Sequence, residues 1–347
     1  MKKVWSILLI FSFVLLTACS SVEKDIKPGK TAVEDKIQIG MSFDSFVIER
    51  WQRDRDVFVS TAKELGAQVN VQNANGDIDK QIEQIDYFIK KDMDVIVIIC
   101  IDAKPLADVV SKAKAAGIKV IAYDRLITNS DVDLYITFDN EKVGTLMGQA
   151  IVDAGAAGGN ALILGGSPTD NNVPLVEKGF TDVCEANGIT IVDTMHCDGW
   201  RAELASEYIY EHEDILKNID AIMCGNDNLA VQVINALSEK RLAGNVLVVG
   251  QDADLESCQK IVEGTQTMTV YKPVERLAKK AAECAIALAI NGKLDGNDAT
   301  TINDGKYDIP YIGLNPRAVT ADNMIDEIIG TGFHLREDIY LNTVPTN

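Results

Sequence analysis

Short apolar runs rich in β-branched residues alternate with longer amphipathic segments along most of the chain, from about residue 36 onward. The run 95–99 (Val-Ile-Val-Ile-Ile) is apolar on both faces, which is typical of strands that helices cover on both sides of a parallel sheet. Segments such as 50–65 and 77–90 follow the spacing of amphipathic helices. The alternation therefore predicts an α/β fold with parallel sheets.

The number of apolar runs predicts how many sheets there are. The predicted strands are 37–43, 69–72, 95–101, 119–123, 134–138, 160–164, 189–194, 221–224, 246–250 and 267–271. Because ten strands would make one very wide sheet, we expect two doubly wound, mainly parallel sheets of five or six strands each. The length of 347 residues is sufficient for the two lobes that these sheets imply.

The charge balance and the metal-binding residue types narrow the class of ligand. The chain has 52 acidic side chains against 33 Lys and Arg, a formal net charge of -19, which argues against nucleic acid and anionic lipid surfaces. Its three histidines, His196, His212 and His334, lack metal-ligand spacing, and no cysteines form a Cys-x-x-Cys pair. We therefore predict no metal and no cofactor. The spacing leaves a disulfide between Cys184 and Cys197 open.

The first residues have the pattern of an export signal. Two lysines precede an apolar stretch, 4–16, that is too short to span a membrane but suits a secretory signal. It runs into the string Leu-Thr-Ala-Cys, which resembles the lipobox of bacterial lipoproteins. We predict that 1–18 is a lipoprotein signal peptide, that Cys19 carries a lipid anchor and that 19–35 is a flexible tether. The body would then be extracytoplasmic and anchored to the cell membrane; a plain signal peptide or an uncleaved anchor is the alternative.

Polar side chains collect where the predicted strands end, which is the edge at which open parallel sheets bind ligands. The residues at these ends include Asp124, Arg125, Asp139, Asn140, Asp170, Asn172, Trp200, Asn226, Asp252 and Lys272. A single Asp or Asn in such a position commonly caps the next helix. Seven successive strands end in this way, however, so we expect a shared binding site.

The chemistry of this set suits a neutral sugar. Carboxylate and amide oxygens accept hydrogen bonds from hydroxyls, while Arg, Lys and amide NH2 groups donate to them. A sugar ring also has an apolar face, on which Trp200 or Trp51 could stack. For Trp51, which lies on a predicted helix, packing in the core is the alternative. An enzyme is not expected, because these residue types lack an activated nucleophile, a metal set or a histidine base.

Three strings carry a resemblance to a known family: Glu-Arg-Trp-Gln at 49–52, Ala-Tyr-Asp-Arg at 122–125 and Thr-Met-Thr-Val-Tyr-Lys-Pro at 267–273. In this order they resemble the D-xylose-binding proteins of bacterial ABC importers, and the resemblance runs from about residue 36 to 340. It implies the type I periplasmic-binding-protein fold, in which two lobes joined by three hinge crossovers close over one sugar.

The resemblance also implies lobe boundaries and binding roles. The N-terminal sugar-binding lobe would be 36–139 plus 273–307, the C-terminal sugar-binding lobe 140–272 plus 308–340, and the crossovers near 138–140, 271–274 and 307–311. The implied ligand-binding residues are Arg50, Asp124, Arg125, Asp170, Asn172, Trp200, Asn226, Asp252 and Lys272. Trp51, Asp139 and Asn140 are further candidates.

The implied function is capture of a monosaccharide by hinge closure and delivery to an ABC permease, by a chain expected to act as a monomer. D-xylose is favoured, but glucose or another aldose stays open, because Cys197 and Cys224 lie beside binding positions. The alternative partner is a membrane histidine kinase that reads the closed form as a sensor signal.

Overall fold

The computed structural model describes residues 36–294 and 299–343. The predicted signal peptide, Cys19 and the tether lie outside the described residues. Within them, helices cover both faces of two sheets, as the apolar runs predicted. None of the helices in these ranges is both long and apolar enough to cross a membrane.

Strands and helices alternate along most of the chain. The strands are β1 (Gln38–Phe43), β2 (Gln68–Asn73), β3 (Val95–Ile98), β4 (Lys119–Tyr123), β5 (Leu134–Phe138), β6 (Asn160–Gly165), β7 (Thr190–His196), β8 (Ala221–Cys224), β9 (Leu247–Gln251), β10 (Met268–Tyr271), β11 (Thr300–Asn303), β12 (Asp308–Leu314) and β13 (Arg317–Val319). The helices are α1 (Arg50–Glu64), α2 (Ile78–Lys90), α3 (Ala107–Ala115), α4 (Asn140–Asp153), α5 (Asn172–Ala186), α6 (Glu203–Glu211), α7 (Asp227–Glu239), α8 (Leu255–Val262), α9 (Val274–Asn291) and α10 (Arg336–Ile339).

The strands form two sheets, and each sheet with its helices is a lobe. The first sheet has the order β11-β12-β5-β4-β3-β1-β2 and the second the order β13-β10-β9-β8-β6-β7. Neighbouring strands are parallel, except that β11 is antiparallel to β12 and β13 to β10. All ten predicted strands are present. The expected five or six strands hold for the second sheet, but the first has seven.

The sequence pattern missed β11, β12 and β13 because none of them is an apolar run. Strand β11 reads Thr-Thr-Ile-Asn and is largely exposed. Strand β12 contains Pro310 and Gly313, two residue types that are disfavoured inside strands. Strand β13 has only three residues. These strands are held by their neighbours rather than by a hydrophobic pattern of their own.

The chain crosses between the lobes three times. The first crossover follows β5, because the next helix, α4, packs on α5, β9 and β10 of the second lobe. The second crossover follows β10, because the next helix, α9, packs on α1 of the first lobe. The third crossover differs from the expectation of 307–311. Strand β12 pairs with β5 as far as Leu314 opposite Phe138, and β13 then pairs with β10. Residues 308–314 therefore belong to the first lobe, and the chain crosses at Asn315 and Pro316.

In the second lobe, close packing holds helices α4 and α5 together. At Gly144 in α4, an added Cβ would lie 1.8 Å from the carbonyl oxygen of Val176 in α5, so the two helices touch through their backbones.

The six cysteines in the described part of the chain are buried free thiols, so Cys184 and Cys197 do not form a disulfide.

Candidate functional site

A small cavity lies between the two lobes, at the carboxyl ends of their strands. The lining residues are Ile48, Arg50, Trp51, Asp124, Arg125, Asn140, Asp170, Asn172, Trp200, Gln251, Asp252 and Lys272. Most of them are polar or charged, so the cavity suits a ligand with many hydroxyl groups.

The first lobe contributes Arg50, which is 4% exposed at the start of α1. One turn later, Asp54 accepts hydrogen bonds from Arg50 Nε (3.3 Å) and Nη2 (3.2 Å). Asp124, directly after β4, accepts a further hydrogen bond from Nη2 at 2.9 Å. Two carboxylates of its own lobe therefore hold the Arg50 guanidinium.

Arg125 is the second arginine of the first lobe and is 2% exposed. Its Nη1 donates to Asp44 Oδ2 at 2.8 Å and to the carbonyl oxygen of Cys100 at 3.0 Å. Asp44 follows β1 and Cys100 follows β3, so the loops after neighbouring strands of the first sheet fix this guanidinium. Asp44 itself is not among the residues that line the cavity.

The second lobe supplies partners that reach across to the first. Asp170 Oδ2 lies 2.7 Å from Arg125 Nε. Asn172, at the start of α5, donates from Nδ2 to the carbonyl oxygen of Asp124 at 3.1 Å and accepts from Asn140 Nδ2 at 3.0 Å. The two lobes are thus in contact through the polar residues of the cavity itself.

Asp252 and Lys272 complete the charged wall near the hinge. Asp252 follows β9 and Lys272 follows β10, at the second crossover. Lys272 Nζ lies 2.7 Å from Asp252 Oδ1, and Arg50 Nη1 lies 3.6 Å from the same oxygen. Asp252 is therefore shared between a hinge cation and an arginine of the first lobe.

Two indoles and Ile48 form the apolar part of the lining. Trp51 is 1% exposed, and the Arg50 guanidinium carbon lies 4.5 Å from its ring centroid. Trp200 packs against the backbone of Gly166, where an added Cβ would lie 2.2 Å from Cη2 of the indole. The requirement for glycine at 166 follows from this contact. Trp51 belongs to the hydrophobic core as well as to the cavity lining, so it packs in the core as the alternative had it, and its stacking on a sugar stays a prediction.

Several buried polar atoms around the cavity have no hydrogen-bond partner among the described residues. They include the Nε1 atoms of Trp51 and Trp200, Nε and Nη2 of Arg125, Gln251 Oε1, Asp252 Oδ1, Asp44 Oδ1 and, next to the cavity, Asn226 Nδ2. A buried polar group without a partner costs about 1 to 3 kcal/mol. A polar ligand in the cavity would be able to supply hydrogen-bond partners to these atoms.

The charges of the cavity shift one another's pKa values. Burial tends to raise the pKa of Asp124, but the attraction of Arg50, Lys272 and Arg125 outweighs it, and the pKa lies below its usual value. Burial dominates at Asp170 and raises the pKa of that carboxyl despite Arg125. Asp124 is therefore a firm hydrogen-bond acceptor, whereas the charge on Asp170 depends on the arginine beside it.

The structure brings together most of the residues that the sequence singled out. Arg50, Asp124, Arg125, Asp170, Asn172, Trp200, Asp252, Lys272, Trp51 and Asn140 line one cavity. Asp139 lies outside it as an exposed cap of α4, accepting from the backbone N–H of Lys142 at 3.0 Å.

Asn226 is also used as a cap, and Gln251 is a residue that the sequence did not select. Asn226 Oδ1 accepts from the backbone N–H of Leu229 at the start of α7, and the residue is not among those lining the cavity. Gln251 does line it, although only its neighbour Asp252 was a candidate. Its position at the end of β9 was the available signal. In the described residues, no group of three or more His, Cys, Asp or Glu side chains is arranged to hold a metal ion.

A two-lobed α/β protein with three crossovers and a polar cavity between the strand ends defines a class of binding proteins that enclose a small ligand. The chain belongs to the periplasmic binding protein family, because residues 39–294 match the family described as "Periplasmic binding protein domain". The fold is thus the type I periplasmic-binding-protein fold that the sequence predicted.

Curated relatives match almost the whole chain. The D-xylose-binding periplasmic protein of Haemophilus influenzae is 46% identical over 309 residues, which cover 88% of this chain and 92% of the relative. The D-xylose-binding periplasmic protein of Escherichia coli is 43% identical over 332 residues, which cover 94% of this chain and 98% of the relative. These values support the resemblance found in the sequence.

Solved structures match the fold at lower identity. An ABC transporter solute-binding protein from Clostridium phytofermentans with bound β-D-glucose is 28% identical, with a TM-score of 0.78 over 87% of this chain and 99% of that chain. A carbohydrate transporter solute-binding protein from Chloroflexus aurantiacus in complex with D-glucose is 27% identical, with a TM-score of 0.80 over 88% of this chain and 98% of that chain.

Proposed function

We propose that this protein captures a monosaccharide outside the cytoplasm by closing its two lobes over it, and that it delivers the sugar to an ABC permease. The observation that carries the proposal is the cavity in which arginines of one lobe meet carboxylate and amide groups of the other. D-xylose is the first candidate, since two relatives above 40% identity are named for it. Glucose is the second, since it is bound in the two solved structures.

The polar lining is sufficient for useful affinity without any chemical step. A micromolar dissociation constant corresponds to about -8 kcal/mol. Hydrogen bonds to charged groups contribute roughly 1.5 to 3 kcal/mol each, so several of them meet this value after the ordering of the ligand is subtracted. Arg50, Arg125, Asp124 and Asp252 are the charged groups placed to make them. We propose that they bind and orient the sugar and that no bond is made or broken.

The membrane partner in this proposal is a permease rather than a kinase. Both solved structures are described as solute-binding proteins of transporters. The relatives reported above give no support to a sensor histidine kinase. In this proposal the chain acts as a monomer, and residues from the two lobes of one chain are sufficient to line the cavity.

We also propose that Cys19 carries a lipid that holds the protein on the cell membrane. The string Leu-Thr-Ala-Cys after the apolar stretch supports this, and the polar residues 19–35 would let the body stand off from the surface. Replacing Cys19 by Ala in the producing cell should move the protein from the membrane fraction to the soluble fraction. A Cys19→Ala protein that has lost residues 1–18, as judged by its mass, and still stays in the membrane fraction would contradict a lipid anchor.

The sugar proposal is tested by titrating the protein with xylose, glucose, arabinose and ribose in a calorimeter. We expect micromolar binding of xylose and a loss of roughly tenfold to hundredfold in Asp252→Ala and Arg125→Ala, since each removes a charged hydrogen-bonding group. The control is Asp214→Ala, because the Asp214 side chain is 92% exposed. Failure of all four sugars to bind would remove the proposal.

A further inference from the structure

We propose that Asp44 is a positioning residue: it holds Arg125 in its sugar-binding geometry while the two lobes are apart. This inference rests on the proposed function, since it concerns how the same cavity is prepared for its sugar. Asp44 does not line the cavity, so it acts on the ligand only through Arg125.

The contact between these two residues is short, buried and internal to the first lobe. Asp44 is 6% exposed, and its Oδ2 accepts from Arg125 Nη1 at 2.8 Å. The same Nη1 donates to the carbonyl oxygen of Cys100 at 3.0 Å. All three residues stand on loops after strands of one sheet, β1, β3 and β4, so this contact does not depend on the position of the other lobe.

The other charged partner of Arg125 comes from the opposite lobe. Asp170 Oδ2 lies 2.7 Å from Arg125 Nε, and Asp170 belongs to the loop after β6 of the second sheet. When the lobes separate, Asp170 moves away with its own sheet. Asp44 is then the one carboxylate, among the described residues, that still pairs with Arg125.

The remaining edge of the guanidinium is the part available to a sugar. Arg125 Nη2 is buried and has no hydrogen-bond partner among the described residues. An arginine has a long side chain with high rotamer freedom, and fixing it before the ligand arrives removes an ordering cost from binding. Asp44 therefore keeps Arg125 Nη2 directed at the position of a sugar hydroxyl in the open form.

Arg50 provides a built-in comparison because its own lobe holds it twice. Asp54 and Asp124 both pair with Arg50, at 3.2 Å and 2.9 Å. Asp54 is fully buried and, like Asp44, does not line the cavity. Removing the charge of Asp54 leaves Asp124 in place, whereas removing the charge of Asp44 leaves Arg125 with no carboxylate of its own lobe. Asp54→Asn is therefore the matched control for Asp44→Asn.

The test measures binding rates and the effect of single hydroxyl groups. Association and dissociation of xylose and of its monodeoxy analogues are followed by tryptophan fluorescence in the wild type, Asp44→Asn, Asp54→Asn and Arg125→Ala. The hydroxyl that faces Arg125 is the one whose removal no longer weakens binding in Arg125→Ala. Thermal unfolding confirms that each variant is folded.

We expect Asp44→Asn to bind xylose about tenfold more weakly. The loss should come from a lower association rate constant. The dissociation rate constant should change less than twofold, because Asp170 still pairs with Arg125 in the closed form. In Asp44→Asn, removing the hydroxyl that faces Arg125 from the sugar should reduce affinity less than it does in the wild type. The loss of affinity for each other monodeoxy analogue should stay within twofold of the wild-type loss. Asp54→Asn should lose less affinity. Unchanged rates in Asp44→Asn, or an equal loss for every analogue, would overturn the inference while leaving sugar capture intact.

A measurement on the wild type covers the case in which Asp44→Asn does not fold. The sugar-free protein is labelled with 15N-arginine, and the Nε–H signal of Arg125 is assigned by its absence in Arg125→Lys. NMR relaxation of this signal should show that the guanidinium is rigid. A mobile Arg125 guanidinium in the sugar-free protein would contradict the inference. If the wild type binds none of the monosaccharides, the proposed function fails and the inference fails with it.

Discussion

Arg125 Nε lies 2.7 Å from Asp170 Oδ2, and the two residues belong to different lobes. Both side chains are 3% exposed, so water does little to weaken their attraction. The ion pair therefore fastens the lobes together at the cavity that the proposed sugar would occupy. Under the proposed function, closure and sugar binding would therefore depend on the same charged groups.

Asp170→Asn should weaken both closure and sugar binding. The amide keeps the shape of the side chain but loses the charge that attracts the buried Arg125 guanidinium. We expect roughly tenfold lower affinity for xylose by calorimetry and a larger radius of gyration of the sugar-free protein by X-ray scattering. Asp182→Asn is the control, since Asp182 pairs with Lys178 on the exposed side of α5. Wild-type values for both measurements would refute a role of this ion pair in closure.

Gly166→Ala should act through Trp200. The new methyl group would lie 2.2 Å from Cη2 of the indole, so the ring has to leave its position in the cavity wall. We expect xylose affinity to fall about tenfold, as in Trp200→Ala, where the aromatic surface is removed outright. In the double variant the two losses should not add, because both remove the same ring from the same place. Additive losses in calorimetry would show that Gly166 acts independently of the indole.

Asp227 should make stability depend on pH. Burial raises its pKa to about 7 in the folded protein, against an ordinary value of 3.8. The folded state therefore binds this proton more tightly than the unfolded chain, so the stabilisation is complete below about pH 4 and is lost as the pH rises through about 7.

Urea unfolding of the wild type and Asp227→Asn checks this sign, because asparagine does not titrate. Between about pH 5 and about pH 8, the free energy of unfolding of the wild type should fall by roughly 2 to 3 kcal/mol more than that of the variant. Titrating groups far from Asp227 are common to both proteins and cancel in the comparison, whereas the pKa of the neighbouring Asp254 loses the contribution of the Asp227 charge in the variant. Equal pH slopes would show that the Asp227 carboxylate is charged throughout this range.

The fold was predictable where strands are buried on both faces. Runs such as 95–99 identify β3 and its neighbours because a parallel strand between two helix layers has no polar side. The sequence did not reveal β12, because Pro310 and Gly313 interrupt the pattern of a strand. This segment is held as a strand by its parallel pairing with β5. The third crossover was misplaced for the same reason.

The cavity was predictable as a set of strand ends, but not in every member. Asn226 follows the buried strand β8 and Gln251 ends the buried strand β9, and only backbone geometry decides whether such an amide turns to the next helix or to the cavity. The Asn226 side chain caps α7, as isolated Asp and Asn residues at strand ends commonly do. Asp44 escaped notice because it contacts another side chain rather than the cavity, and pair contacts over 81 residues leave no local pattern.

The backbone contact between Gly144 and Val176 makes α4 and α5 a single stiff unit. Each helix begins with an asparagine of the cavity, Asn140 at the first crossover and Asn172 in the second lobe, and the two amides are hydrogen-bonded at 3.0 Å. Because tightly packed helices deform little, these amides keep a constant spacing as the lobes move. The Asn172 amide that donates to Asp124 is therefore held in a fixed orientation within the second lobe. Hinge motion then determines only when this hydrogen bond forms.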